Sequence, residues 1–535
     1  MKKWNILLGS IILAAGMTAC QQEKPDTAVN TEQKPTNEVV TEETAQPSAE
    51  VETPETESAG VTVTYVSEPR TSQAEDGSDL INGYLRYPVV TVPDNEALSD
   101  TINAAIKKET EGFTTTYDNY VSQAQSEYVF ATENPVDGEV YFNPYYLSLS
   151  IDLERNDGKI LSLTEMTEDY TGGAHGNHNK YGLTFDMKDG KKLALSDLSD
   201  KPEDFRTAVL DGIKEIAKTE AYSQRLDQGY EANLESMLLE DGKWYLANDG
   251  IHFFANPYEL GCYAAGTIEF VESYEDLKGL SEAYAFTGNY EKRVPVGEQV
   301  EKDINGDGKT EKILYKAIEA EDYSSVDYVF TVDDKDFSDQ IALEFPDMEA
   351  YYLVDLDSTD SYIEIAIQDY GASDDNTTTF YRYDTDGTIK SLGSISDLWS
   401  SSGCYLQKDC KIIARGRLSI LQTWFAPFTF ELDKNGTIQE VELDTYYPDA
   451  RFIYQNPILQ DVTVYTQRDL KSETVVLTPD DGPVSFTATD NKNWVEFKTK
   501  DGKTYYLYMT ELSQIKSGDK NLEVTEVFAN LVFAD

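Results

Sequence analysis

Apolar and polar residues begin to alternate at Val61, and the period then switches several times along the chain. "GYLRYPVVTVP" (83–93) reads as a strand pair. Directly after it, Leu98, Ile102, Ala105, Ile106, Phe113, Tyr117 and Val121 recur at helical spacing through 94–123, with Asp94 as the expected N-cap. Period two returns in "EVYFNPYYLSLSIDLER" (139–155) and in "YGLTFDM" (181–187), which predicts two half-buried strands. A second helix is expected over 202–221, with Pro202 near its start and Phe205, Val209, Ile213 and Ile216 on one face. Strands should then flank the tight turn at Asn248, Asp249 and Gly250. Helices and antiparallel hairpins in this order predict an α+β domain over 61–285.

No comparable helical period follows. "EKDINGDGKTEKILY" (301–315) and "LVDLDSTDSYIEIAI" (353–367) are two versions of one unit, an acidic turn leading into a strand with a glutamate before its first apolar pair. "YRYDTDGTIKSLGSI" continues in the same style, so 295–448 is expected to be a small all-β domain. A complete propeller would need more blades than that length holds. Residues 452–535 form a further run of short strands, with turns at Asp480-Asp481-Gly482 and Asp501-Gly502. The fold class is therefore an α+β domain followed by all-β domains.

The N-terminus changes the picture. "MKKWNILLGSIILAAGMTAC" has two lysines, an apolar run too short for a permanent span, and small residues before a cysteine, as a secretory signal does. Its "MTAC" resembles the lipobox of bacterial lipoproteins. That resemblance implies a signal peptide over 1–19, lipidation of Cys20, and a protein anchored by lipid to the outer face of the cytoplasmic membrane. Residues 21–60 carry ten acidic and two basic side chains and no aromatic one, which is the composition of a solvated tether.

Over the whole chain, 44 basic against 98 acidic side chains leave −54, so a polymer of phosphates would be repelled and nucleic acid is excluded as a partner. A cationic partner is the natural complement, although solubility outside the cell accounts for the same charge. Four cysteines, at 20, 262, 404 and 410, are too few for a disulfide scaffold. Cys404 and Cys410 either pair across a short loop or remain thiols.

Two stretches concentrate candidate chemistry. "YTGGAHGNHN" (170–179) places Tyr170, Gly172, Gly173, His175 and Asn177 in a candidate binding loop whose glycines permit backbone forms closed to other residues. His175, His178 and the distant His252 would be the set available to zinc. In "DINGDGKTE", Asp303, Asn305 and Asp307 put oxygens at alternate positions, Gly308 allows a bend, and Glu311 follows at the ninth position. A calcium ion is the candidate cofactor there. Position twelve is Leu314, so the loop is not an EF-hand, and an ion-free acidic hairpin remains the alternative.

"YTGGAHGNHNKYGLTFDMKDGKKLALSDL" followed by "WYLANDGIHFFANPYELGCYAAG" resembles the extracellular domain shared by the lysozyme-sensing anti-sigma-V factor and a secreted peptidoglycan deacetylase, over about 62–280. The anti-sigma member binds lysozyme. Neither a sigma-binding segment nor a deacetylase domain with its metal-binding histidines accompanies the motif here. The Asp-rich units resemble those of extracellular propeller-like proteins, and "NWVEFKTKDGKTYYLYM" resembles the last hairpin of bacterial SH3-like barrels. These resemblances imply a surface binding module for a protein or glycan of the cell-wall environment, lysozyme foremost. A metal-dependent hydrolase or deacetylase, or a structural spacer, are the competing readings.

Overall fold

The computed structural model describes residues 56–58, 61–319, 326–341, 343, 345, 347, 349–370, 376–396, 398, 405–407, 410–448 and 455–533. The signal segment, Cys20, the acidic tether and Cys404 lie outside the described residues.

A seven-stranded sheet dominates the first domain, in the order Thr56–Ser58, Val61–Gln73, Asp79–Thr91, Tyr145–Asn156, Ile160–Tyr170, Asn177–Asp186, Lys191–Lys192. The pairing is antiparallel except between Asp79–Thr91 and Tyr145–Asn156, which run parallel. Parallel neighbours need a crossover, and the 38-residue helix Glu96–Glu133 supplies it. Leu98, Ile102, Ile106, Phe113, Tyr117 and Ala124 form its buried face. Gly83 lets the helix close on the sheet, because a Cβ there would lie 2.4 Å from the Tyr117 ring.

Several expectations shift. Residues 83–93 are not a pair of strands: the single strand Asp79–Thr91 runs through Pro88 and finds its hairpin partner in Val61–Gln73. Pro88 is tolerated because pairing with Tyr145–Asn156 covers only Ile81 to Arg86. The helix is capped by Asn95, whose side chain accepts the Leu98 amide at 3.2 Å, while Asp94 sits at φ 62°. It runs ten residues past the expected end, since no breaker precedes Asn134 and Pro135.

Against this sheet packs a three-stranded one, Trp244–Leu246, Gly250–Ala255 and Ile268–Ser273, flanked by the helix Pro202–Ile216. Phe205, Val209 and Ile213 bury their face with Trp244, Phe253 and Phe270. Contact between the two sheets depends on Gly182, whose amide donates to the Gly242 carbonyl at 2.8 Å and whose Cβ would lie 1.9 Å from the Trp244 oxygen.

The central region is all β. A five-stranded sheet (Glu291–Pro295, Ala350–Val354, Glu364–Asp369, Thr377–Tyr383, Ile389–Ser396) and a four-stranded one (Gln299–Lys302, Glu311–Glu319, Val326–Val332, Lys335–Asp336) share one core. A third, Tyr405–Leu406, Ile412–Leu418, Trp424–Leu432 and Ile438–Val441, follows. The expected C-terminal barrel is instead an open sheet. Its path runs Thr474–Leu477, Val462–Tyr465, Thr504–Glu511, Trp494–Thr499, Val484–Thr489 without returning on itself among the described residues. Thr504–Glu511 breaks register between Met509 and Glu511, and its end leaves to pair with Gln514–Ser517. Closure is lost there.

Candidate functional site

The loop singled out in the sequence is shorter than expected, because Asn177, His178 and Asn179 already belong to the strand Asn177–Asp186. Tyr170 closes it by donating its hydroxyl to the Gly173 carbonyl at 3.2 Å. Gly172 and Gly173 adopt φ 91° and 94°, and nothing stands within 4 Å of where their Cβ atoms would be. Gly176 answers to space instead: a Cβ would lie 2.6 Å from the Asp169 carbonyl. Asn177 donates to the Asp169 carboxylate at 3.3 Å. His175 is held by ring contact, stacked on Tyr263 with centroids 3.7 Å apart, and its Nε2 lies 3.4 Å from the Tyr258 hydroxyl. His178 meets the same Tyr263 edge-on at 5.9 Å.

These rings stand at one end of the long sheet, where Asp79–Thr91 and Tyr145–Asn156 begin and Ile160–Tyr170 ends. The C-terminal end of the long helix overhangs the same end. Tyr120 donates to Asp169 at 3.3 Å, and Phe142 packs between Tyr128 and Tyr145. Three large apolar residues of this domain are exposed: Phe130 on the long helix is 67%, Tyr141 70% and Tyr258, beside His175, 63% exposed.

His252 does not join the other two histidines. It lies in Gly250–Ala255 opposite Tyr245 and Val271, with Nε2 2.7 Å from Asp249 and Nδ1 2.6 Å from Glu269. Burial alone would lower its pKa, but the two carboxylates overcome that and raise it to about 10. An imidazolium so held is neither a base nor a metal ligand at neutral pH. Among the described residues no group of three or more His, Cys, Asp or Glu side chains is gathered as metal ligands. The three-histidine zinc set is therefore not assembled.

Around His252 opens a cavity of about 440 Å³ between the three-stranded sheet and the five-stranded sheet of the central region. Lys180 reaches Glu269 at 3.0 Å and Tyr245 at 3.2 Å, and with His252 it holds Glu269 well below the usual carboxylate range despite burial. On the far wall Arg225 and Arg293 share Glu349. Burial pushes Glu154 up to about 7 and Asp347 up to about 6. Sequence reading missed this site. Glu154, Lys180 and Glu269 look like solvent-side positions of half-buried strands, but the two sheets of the first domain pack so that Lys180 meets Tyr245 and Glu269.

In the acidic turn, Asp303 accepts the amides of Gly306 and Gly308 at 2.8 and 2.9 Å, and Asn305 accepts that of Asp307 at 3.0 Å. Asp307 pairs with Lys309 at 2.8 Å. Glu311 is buried, accepting from the Ile304 amide at 2.9 Å and from Asn305 at 3.1 Å. Its counterpart Glu364 accepts the Leu356 amide at 3.1 Å, so the two units share a structural role for their glutamate.

Comparison with known proteins follows this division. Residues 74–178 match the family described as Deacetylase PdaC, and residues 196–275 match a family described as a protein of unknown function, DUF3298. Over these residues the first domain is thus similar to the PdaC and DUF3298 families, in that order along the chain. Two solved DUF3298 family proteins are similar to this chain. One, from Bacteroides fragilis NCTC 9343, is 20% identical, covering 42% of this chain and 96% of its own, with a TM-score of 0.34. The other, from Pseudomonas aeruginosa PAO1, is 16% identical, covering 41% and 95%, with a TM-score of 0.27. Among curated proteins none matches.

Proposed function

We propose that this is a surface-anchored binding protein whose first domain engages a protein of the cell-wall environment, with a lysozyme-like cationic protein as its ligand. The observation that carries the reading is the set of exposed aromatic residues of this domain, Phe130, Tyr141 and Tyr258, of which Tyr258 stands beside His175. Rigid amphipathic rings of this kind supply most of the energy at protein interfaces. A chain of net charge −54 would also speed encounter with a basic partner.

The test is titration of the protein with lysozyme at low and moderate salt. Saturable binding is expected at both, slower to form at the higher. Tyr141→Ala with Tyr258→Ala should weaken it about tenfold or more, the loss typical of interface aromatics. Absence of saturable binding at either salt removes lysozyme, and parallel titration with peptidoglycan fragments then decides between protein and glycan.

Anchoring through a lipidated Cys20 belongs to the same proposal. Mass spectrometry of the N-terminal peptide should find an acylated cysteine, and Cys20→Ala should release the protein or leave its precursor uncleaved. Calcium at Asp303, Asn305, Asp307 and Glu311 is proposed on the sequence pattern. Binding would require the carboxylates to exchange amide donors and Lys309 for the ion. A melting temperature raised by calcium and lowered by chelator, with no response in Asp303→Ala plus Asp307→Ala, is the expected result. Identical melting in both conditions would leave an ion-free hairpin.

A further inference from the structure

Six carboxylates and four cationic side chains line the cavity between the first domain and the central region, so it carries a net negative charge even with His252 protonated. The four cations are already engaged. Lys180 and His252 hold Glu269 and Asp249, while Arg225 and Arg293 hold Glu349. Glu154 and Asp347 take their hydrogen bonds from neutral donors, while Lys180 acts on Glu154 and Arg293 on Asp347 only through space. Glu154 accepts the Thr164 hydroxyl at 2.6 Å. Asp347, 3% exposed, accepts the Glu349 amide at 2.7 Å and the Tyr370 hydroxyl at 3.4 Å. A third polar group lining the cavity, the Thr267 hydroxyl, is buried with no hydrogen-bond partner among the described residues.

Each of these is costly alone. A buried carboxylate with no cation in hydrogen-bond contact recovers only part of its lost hydration, and a buried hydroxyl without a partner loses about 1–3 kcal/mol. All three costs fall at one cavity. Size decides the nature of a guest. Sites for small organic ligands run from about 300 to 1,000 Å³, whereas a bare metal ion needs ligands converging within about 2.6 Å. No such convergence exists among the described residues.

We propose that this cavity binds a small organic ammonium group, with Glu154 from the first domain and Asp347 from the central region as its counter-charges and Thr267 as an acceptor. The ammonium arrives either on a free amine or on a lysine side chain of a polypeptide; the recognition chemistry is the same. Because the two carboxylates come from different domains, the ligand would bridge them.

The probe is 1,5-diaminopentane, titrated calorimetrically into the full-length protein, with pentane-1,5-diol as the uncharged control of equal length. Saturable binding of the diamine is expected, and none of the diol. Glu154→Gln and Asp347→Asn should each weaken the diamine at least tenfold, and Glu154→Gln carries the test if Asp347→Asn fails to fold. A glycyl-lysyl-glycine amide that displaces the diamine assigns the ammonium to a polypeptide, and one that does not assigns it to a free amine. A diamine that binds no better than the diol, or that binds a folded Glu154→Gln variant as tightly as the parent, overturns the proposal.

Discussion

Glu154 is a carboxylate placed where an amide would fold better. Burial raises it from 4.5 to about 7, so the stability it supports is fully present below pH 4.5 and is lost as pH rises through 7. Glu154→Gln should therefore raise the melting temperature at pH 8 and leave it nearly unchanged at pH 4, a gain of about 1–3 kcal/mol at the higher pH. His252 titrates the same way in a higher window. Its pKa rises from 6.5 to about 10, so the stabilisation by Asp249 and Glu269 is complete below pH 6.5 and disappears as pH passes 10. His252→Ala at pH 7 strands Asp249, leaves Glu269 to Lys180 and Tyr245, and should cost about 3–5 kcal/mol by urea denaturation. Glycines separate into two kinds by the same measurement. Gly182→Ala drives a methyl into the Trp244 carbonyl and should cost about 3 kcal/mol or more, because backbone must move. Gly172→Ala meets open space and pays only for its φ of 91°, about 1–2 kcal/mol. An equal loss at both would mean that Gly182 does not set the spacing between the sheets.

At the scale of elements, the buried glutamates of the two acidic units make different predictions. Glu364 answers both the Leu356 amide and the buried Arg382, whose Nε donates to it at 2.7 Å. Glu364→Ala should cost about 3–5 kcal/mol, against about 1–3 for Glu311→Ala, which frees only neutral donors. Chemical denaturation ranks them. That kinship was legible in the sequence, since an acidic turn followed by a glutamate before two apolar residues is a local pattern. So was the existence of both main helices, whose apolar stripes span several turns. The start of the first was misplaced because Asp94 and Asn95 are equally good caps by type, and only tertiary contact chooses between them. The hairpin partner of Asp79–Thr91 was missed because strand pairing is a long-range property that alternation does not encode. Two further turns escaped notice as a pair. Asp384 to Thr388 and Asp433 to Thr437 make the same closing bonds, each with its glycine at positive φ. The cavity left no local trace at all, because its walls come from strands far apart in the chain.

For the whole molecule, the junction of the first domain with the central region is tied by more than the cavity. Lys292 reaches Asp276 at 3.0 Å, Asn248 donates to the Leu406 carbonyl at 2.8 Å, and Asn289 donates to that of Gln407 at 3.0 Å. Joint occupation by an ammonium ligand should therefore appear as a single rise in melting temperature across both regions, by mass action on the folded state. The other end of the chain is joined differently. Leu418, Ile420, Leu421, Trp424, Ala426 and Phe428, from the third central sheet, are buried in one core with Phe486, Phe497 and Phe528 of the C-terminal region. A chain made N-terminus first must therefore carry a Trp and a Phe with no cover until the residues up to Phe528 have been synthesised. The tail acts as the keystone of the sheet before it. Stopping synthesis near residue 448 should yield a sticky fragment rather than a shorter protein, and quality control will see that fragment in every molecule, briefly, on its way to completion.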